Sequence, residues 1–165
     1  MTLTLPSLRH GFYVGLGAAL LLGIYLLWLW QPERQVRRHT QHLFEAVEKR
    51  SWTRFGDFIA PDFKDQWGDD RARLLERTGE VLRYVRAVRI NASGAFVRTE
   101  HRRAVWTGKI TIEGDQGELT AEIKSRVNSL ATPFELEWRR LSAKPWHWKL
   151  VRVSNPSLDV PAEFE

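Results

Sequence analysis

Four aspartates lie close together in the middle of the chain: Asp62, Asp65, Asp69 and Asp70. A carboxylate in such a cluster can act as a general base. Aspartates in loops and at helix starts more often accept hydrogen bonds from nearby backbone N–H groups. We therefore predict no catalytic residue here, and we keep only Asp65, with its neighbour Trp67, as a candidate ligand-binding residue.

The histidines offer a second possible chemistry. His39 and His42 are three residues apart, and Glu45 follows three residues later. That spacing holds metals in helical bundles when a second helix supplies further ligands. No such second set is apparent, so we predict surface histidines, no metal and no other cofactor. The chain contains no cysteine, which excludes thiol catalysis, thiolate metal sites and disulfides.

Tryptophan is the remaining prominent residue type, with eight in the chain. Aromatic side chains at this density can line a pocket for a small apolar ligand. They can equally fill the core of a small domain, because each buries about 150–250 Å². We favour core filling, and we keep Trp106, Trp138 and Trp148 as candidate ligand-binding residues. No glycine-rich phosphate loop or nucleophile elbow is present, so no catalytic residue is predicted.

Residues 11–30 form an apolar run without a single charge. A helix of this length covers about 30 Å, the thickness of the bilayer hydrocarbon. We predict a transmembrane helix that places the protein in the cell membrane, preceded by a short tail, residues 1–10. A cleaved signal peptide is the alternative, but the run ends in Trp28-Leu29-Trp30, without the small residues that cleavage needs.

Small residues recur every four positions along this run, at Gly11, Gly15, Ala19 and Gly23. Such a stripe lets transmembrane helices approach closely, so a homodimer is a possible partner state. The side of the membrane is undecided. Arginines at positions 34, 37 and 38 favour a cytoplasmic domain, yet whole domains often cross regardless of charge.

The chain after Pro32 has the size of one domain, which we place at residues 33–156, with an irregular tail at 157–165. Its net positive charge is mild and spread along the sequence, so nucleic acid is not expected as a partner. Apolar residues spaced by three and four predict helices at 33–50, near 52–59 and after Gly68, the last capped by Asp69 or Asp70. Alternating patterns then predict strands at 85–91, 96–99, 103–112, 119–128, 134–139 and 146–151.

Helices followed by antiparallel strands indicate an α+β domain with the helices packed on one face of a curved sheet. The stretch FEAVEKRSWTRFGDFIAPDFKDQWG, from Phe44 to Gly68, resembles the opening of the nuclear transport factor 2-like superfamily. The segment WHWKLVRV, from Trp146 to Val153, resembles its closing strand. The resemblance implies a cone-shaped α+β fold. Its enzymes use a buried aspartate beside a tyrosine, but the one tyrosine of this domain is Tyr84, which departs from that pattern.

Three hypotheses follow for the function. The first is a single-pass membrane protein whose cone binds a protein partner or a small apolar ligand without catalysis. The second is a membrane-tethered isomerase or dehydratase that uses the cone pocket. The third is an assembly subunit, since an anchor followed by a cone is similar to a subunit of bacterial type IV secretion channels. Fold alone does not choose among them.

Overall fold

The computed structural model describes residues 8–84, 87–115 and 117–158. Within these ranges the α+β class is confirmed, with helices first and a four-stranded antiparallel sheet after them. The elements in chain order are α1 (Leu8–Leu29), α2 (Pro32–Glu48), α3 (Trp52–Phe58), α4 (Arg71–Tyr84), β1 (Arg89–Glu100), β2 (Arg103–Glu113), α5 (Glu118–Asn128), β3 (Phe134–Arg140) and β4 (Trp148–Ser154).

Local sequence explains where the helices begin. Pro32 opens α2, where its missing N–H costs nothing. The Asp70 carboxylate accepts a hydrogen bond from the N–H of Arg73 at 2.9 Å, so of the two predicted candidates, Asp69 and Asp70, it is Asp70 that caps α4. Helices α2 and α3 contact the sheet, and α4 packs against α3.

The sheet has the strand order β1-β2-β3-β4, and its inner face carries the core. Trp106 pairs with Leu136 across β2 and β3, and Trp138 pairs with Leu150 across β3 and β4. All four side chains are buried. Because side chains alternate along a strand, the charged residues between them lie on the outer face.

The segment predicted as a strand at 119–128 is a helix, α5. The alternation of apolar residues was misleading, because Thr120, Ile123 and Val127 also share one face of a helix. Glu122 and Arg126, four residues apart, form an ion pair at 2.8 Å on its exposed side. The Asn128 side chain accepts from the N–H of Ile112 at 2.8 Å and donates to its C=O at 3.1 Å. The amide thus makes the two hydrogen bonds that a neighbouring strand would make with Ile112.

Two strand predictions need further correction. The strands predicted at 85–91 and 96–99 are one strand, β1, with a register shift between Ser93 and Phe96. Gly94 permits this irregularity because its φ of +61° is strained for other residues. Residues 85 and 86 lie outside the described ranges. The last strand starts at Trp148, so Trp146 belongs to the β3–β4 loop and is 52% exposed.

The first helix contains a segment, Gly11–Leu29, that is long and apolar enough to cross a membrane. Its junction with α2 is short and held by specific contacts. The buried Gln35 amide donates to the Leu29 carbonyl at 2.8 Å, and the Arg34 guanidinium lies 3.4 Å from the ring centre of Trp28. The rings of Trp30 and Trp146 lie 6.4 Å apart, so the β3–β4 loop touches the end of α1.

The predicted tails fall mostly outside the described residues. Positions 1–7 and 159–165 are not described, whereas residues 8–10 already belong to α1. At the other end, Leu158 lies against the core and its carbonyl accepts a hydrogen bond from Trp67 Nε1 at 3.0 Å.

Candidate functional site

The interior of the cone is filled by aromatic side chains. Trp138 and Trp148 are 0% and 1% exposed, and Trp148 Nε1 donates to the carbonyl of Pro145 at 2.8 Å. Trp138 Nε1 has no acceptor among the described residues. The structure thus brings Trp138 and Trp148 together with Trp106 in one cluster, where they take the space that a deep ligand pocket would need.

His39 packs against this cluster and is not the surface residue that the sequence predicted. Its ring makes edge contacts with Phe58 and Trp138, at centroid distances of 5.9 and 6.0 Å. The apolar stripe of α2 turns His39 inward, since it lies one turn after the buried Gln35 and Val36. Burial lowers the pKa of the imidazole below its usual range, although carbonyl acceptors nearby, Gln35 among them, oppose the shift.

Asp65 and Trp67 lie away from the tryptophan cluster, in the loop between α3 and α4. Asp65 Oδ1 accepts hydrogen bonds from the N–H groups of Trp67 and Asp69, at 2.9 and 2.8 Å. Burial nevertheless raises the pKa of this carboxyl above its usual value, since desolvation outweighs the two donors. The loop runs beside the far end of β4, where Gln66 N–H donates to the Val153 carbonyl at 3.2 Å.

The other aspartates of the cluster hold structure together. Asp69 pairs with Arg77 at 2.9 Å, and Asp70 caps α4. Asp62 lies on the outer face of the sheet, where both of its oxygens accept from Arg139, at 2.6 and 2.7 Å. That contact lowers the pKa of the Asp62 carboxyl. Among the described residues, no three histidine or acidic side chains converge as metal ligands.

An open groove lies between α2 and β1, and Trp106 forms part of its floor. The Phe44 ring meets the Trp106 ring edge to face, with centroids 5.7 Å apart. The groove encloses about 450 Å³. It is lined by Arg37, Thr40, Gln41, Phe44, Glu45, Glu48, Arg89, Ile90, Asn91, Ala92, Ala95 and Trp106. We call it the α2–β1 groove.

Gly108 sets the position of this floor. A Cβ atom at Gly108 would lie 2.6 Å from Cη2 of Trp106 and 3.1 Å from the Cβ of Ala95. Both contacts are closer than side-chain carbons normally approach, so only glycine lets the indole lie flat across β2. The tryptophan at position 106 and the glycine two residues later thus act as one structural unit.

The polar groups of the groove differ in how far they are already engaged. Glu48 accepts a hydrogen bond from the N–H of Ile90 at 2.6 Å, and Glu45 pairs with Lys49 at 3.5 Å. The buried hydroxyl of Thr40 has no partner in the described part of the chain, and neither Arg37 nor Arg89 forms an ion pair there. The groove therefore has two cations without ion pairs and the partly exposed Phe44 ring in its lining, while Thr40 and Trp106 lie buried beneath it at 1% and 2% exposure.

Sequence reasoning found one member of this groove, Trp106, and missed the rest. Arg89, Asn91 and Ala92 belong to no motif, and the groove forms only because α2 crosses β1. One signal was present: Thr40 is a polar residue in the middle of the apolar stripe of α2. In the structure this hydroxyl is buried, at 1% exposure for the residue.

A second depression, of about 540 Å³, lies on the outer face of the sheet. Two ion pairs cross it, Arg139 with Asp62 and Arg152 with Glu137 at 3.9 Å, and its other lining residues are also mostly charged. The one aromatic residue in its lining, Trp138, is 0% exposed, so a ligand there would meet charged walls and no accessible aromatic ring. The α2–β1 groove is therefore the stronger candidate site.

No protein-family model matches the chain, and no curated protein matches it either. Solved structures do. Bd1075 of Bdellovibrio bacteriovorus superimposes with a TM-score of 0.57 at 10% identity, over 73% of this chain and 40% of that one. This chain thus spans well under half of Bd1075.

Two smaller proteins match over most of their length. An NTF2-like protein from Cytophaga hutchinsonii gives a TM-score of 0.53 at 16% identity, over 74% of this chain and 95% of that one. A putative dehydratase of the NTF2-like family from Streptomyces avermitilis gives 0.54 at 15% identity, over 73% and 91%. At these identities the similarity shows the fold alone: the domain has the nuclear transport factor 2-like cone.

Proposed function

We propose that this chain is a single-pass membrane protein whose cone domain binds a small amphipathic ligand in the α2–β1 groove without catalysis. The observation that carries the proposal is the contrast between a filled interior and an open groove lined by the Phe44 ring and by two arginines, Arg37 and Arg89, that form no ion pair in the described structure. Ligand sites typically combine apolar walls with a few polar groups that fix orientation. An aromatic carboxylate fits this set, with its ring on Phe44 and Trp106 and its charge towards Arg37 and Arg89.

The arrangement of titratable groups argues for binding without catalysis. The carboxyl with a raised pKa, Asp65, lies in the α3–α4 loop, and both of its donors are backbone groups that shape that loop. The carboxylates that line the groove are Glu45, which pairs with Lys49, and Glu48, which accepts the Ile90 N–H, so both already have partners. A general base must lie within hydrogen-bond reach of its substrate, which Asp65 does not for a ligand in this groove. The enzyme hypothesis accordingly ranks second.

The assembly hypothesis has less support. Interaction surfaces are usually contiguous apolar patches. In the described residues beyond α1 and Trp30, the exposed large apolar side chains are Val81, Phe96, Leu141 and Trp146, and they are scattered over three elements or loops. The small-residue stripe on α1 remains a proposal for homodimers, because Gly11, Gly15 and Gly23 have open space beside them. Gly15→Leu is expected to weaken self-association in a membrane dimerisation assay, whereas the same change at Gly17, off the stripe, is not.

A binding experiment tests the groove directly. The full chain in lipid nanodiscs is titrated with 2-naphthoate, with empty nanodiscs as the background. We expect saturable binding that Ala92→Phe abolishes, because the added ring enters the groove from an exposed position. Ala72→Phe, at an equally exposed alanine on α4, is the matched control and is expected to bind as the original chain does.

Two results would contradict this proposal. Naphthoate binding that survives Ala92→Phe would place the site elsewhere. Turnover of a ligand that disappears in Asp65→Asn, with the fold unchanged, would favour the enzyme hypothesis. Membrane insertion is tested separately by the intact mass of the chain in the membrane fraction. A mature chain that begins near Pro32 would remove the anchor from the proposal.

A further inference from the structure

Two loops meet at the end of the sheet that touches α1. The β1–β2 turn is joined to the end of β3, where the β3–β4 loop begins, by a hydrogen bond from Arg140 N–H to the Arg102 carbonyl at 2.8 Å. The β3–β4 loop carries Trp146, whose ring lies 6.4 Å from that of Trp30 at the end of α1. This end of the sheet therefore lies beside the point where α1 leaves its apolar segment.

The same end carries unpaired positive charge. A cleft of about 300 Å³ is lined by Arg102, Arg103, Arg139, Arg140 and Leu141, and we call it the basic cleft. Asp62 neutralises Arg139, and Glu100 lies across the strand pair from Arg103. No ion pair within the described residues engages Arg102 or Arg140, nor Lys144 in the adjoining loop.

Arg140 is held in place while part of its hydrogen-bonding capacity stays unused. Its guanidinium carbon lies 5.8 Å from the ring centre of Trp148, and its buried Nε has no acceptor in the described structure. The Nε of Arg102 donates to the Arg140 carbonyl at 3.2 Å, which holds the Arg102 guanidinium against the backbone at the end of β3. Both arginines line the same cleft, and a guanidinium group donates to phosphate oxygens through several N–H groups.

We propose that the basic cleft binds phosphate headgroups of anionic lipids in the membrane that α1 spans. The inference rests on the proposed membrane insertion and adds a second contact between the domain and the bilayer. Lipid is favoured over other anions because Trp146 and Leu141, 52% and 36% exposed, lie in the same loop. Exposed indole beside basic side chains is typical of protein at the headgroup level. Anionic leaflets attract such basic segments, and the attraction acts only within a Debye length of the surface.

A spin label reports the position of this loop, and the cysteine-free chain allows one unique site. Ala143→Cys places a nitroxide in the exposed part of the β3–β4 loop. Ala131→Cys places one at an equally exposed alanine in the loop before β3. The two loops flank β3, so the labels lie about 20 Å apart along the strand direction. Each labelled full chain is reconstituted in nanodiscs of phosphatidylcholine, with or without phosphatidylglycerol.

We expect phosphatidylglycerol to shift the label at 143 from contact with an aqueous nickel complex towards contact with lipid-dissolved oxygen. The label at 131 is expected to stay aqueous in both discs. Arg102→Gln with Arg140→Gln should abolish the shift at 143. Because these residues pack against Trp148 and a strand end, Lys144→Gln serves as a second variant that touches no core residue, and it should reduce the shift.

The outcomes separate the possible occupants. A label at 143 that stays aqueous in anionic discs overturns the proposal. The proposal is also overturned if inorganic phosphate or polyglutamate, added to neutral discs, shields the label at 143 from the nickel complex while phosphatidylglycerol in the discs does not. That result would identify a soluble anion or an acidic polypeptide as the occupant. A chain that fails to co-elute with nanodiscs overturns the proposed membrane insertion itself, which a loss of the lipid shift alone does not.

Discussion

The two outer strands of the sheet are covered in different ways. Strand β4 is covered by the backbone of the α3–α4 loop, whose N–H groups donate to β4 carbonyls at 2.9, 3.1 and 3.2 Å: Ala60 to Leu150, Lys64 to Val151 and Gln66 to Val153. Strand β1 is held at one point by a side chain, Glu48, which accepts from the Ile90 N–H at 2.6 Å. The α3–α4 loop backbone from Ala60 to Gln66, which we call the strap, covers the β4 edge along its length. The single carboxylate on the β1 edge leaves space on either side of it.

This difference explains where an opening can exist in so small a domain. On the β4 side the strap presses α3 and the loop onto Trp138, Trp148 and Leu150, and nothing enters. On the β1 side the helix α2 crosses the strand and contacts it, and the α2–β1 groove remains open beside this crossing. Rigid packing and ligand access thus occupy opposite edges of one sheet.

The largest expected effect is on the closed side. Trp138→Ala should lower the free energy of unfolding by about 3–5 kcal/mol, since a fully buried indole leaves a large cavity. Trp138→Phe should cost less than the alanine change, because it also removes an indole N–H without an acceptor in the described structure. Denaturant unfolding of the full chain in detergent measures both. Trp146→Ala, at an exposed position, is the control and should have a small effect. Equal losses of unfolding free energy in Trp138→Ala and Trp146→Ala would contradict the claim that the β4 side of the domain is tightly packed.

Gly108→Ala tests the floor of the open side. The new methyl group would collide with Trp106, so we expect a loss of about 1–3 kcal/mol together with weaker naphthoate binding. The matched control is Gly79→Ala on α4, where nothing lies within 4 Å. There the change should stabilise the protein by about 0.4–1 kcal/mol, because alanine restricts the unfolded chain. If Gly108→Ala weakened the fold but left naphthoate affinity unchanged, Trp106 would not be part of the binding floor.

The smallest effect concerns the loop that forms the strap. Asp65 has a raised pKa in the folded state, so the folded protein binds this proton more tightly than the unfolded chain does. The contribution of this carboxyl to the free energy of unfolding therefore falls as the pH rises from its unfolded-state pKa of 3.8 through its folded-state pKa. Asp65→Asn keeps an oxygen acceptor and should change the unfolding free energy at neutral pH by less than about 1 kcal/mol, or raise it. Asp65→Ala removes the acceptor from two N–H groups and should destabilise the chain more. A strongly destabilised Asn variant would show that the negative charge itself shapes the loop.

The sequence predicted the features that depend on local periodicity. The stripes of α2 and α4, the Asp70 cap and the alternation of Phe134, Leu136 and Trp138 were enough to derive the α+β order and much of the core. The α5 segment was misassigned because ten residues with apolar side chains at every second position also satisfy a helical face. His39 was misplaced because its exposure depends on Phe58 and Trp138, which reach it from other elements.

The candidate site was far less accessible to sequence reasoning. The unpaired state of Thr40, Arg37 and Arg89 is a property of distances between α2 and β1, and no spacing within either element encodes it. Conversely, Asp65 and Trp67 stood out in the sequence because they are conspicuous residue types in a loop. In the structure Asp65 accepts from the N–H groups of Trp67 and Asp69, and the Trp67 indole donates to the Leu158 carbonyl.

The junction between α1 and α2 has a mechanical consequence. It contains no flexible linker: Leu29 ends one helix, Pro32 begins the next, and the Gln35 amide ties them together. Because these contacts hold α1 and α2 together, a rotation of α1 about its own axis also rotates the cone domain. An α-helix turns by roughly 100° for each residue. The rotation of α1 about its own axis therefore sets the direction in which the α2–β1 groove faces around that axis. A single residue inserted within α1 itself would turn the groove by roughly 100° around that axis.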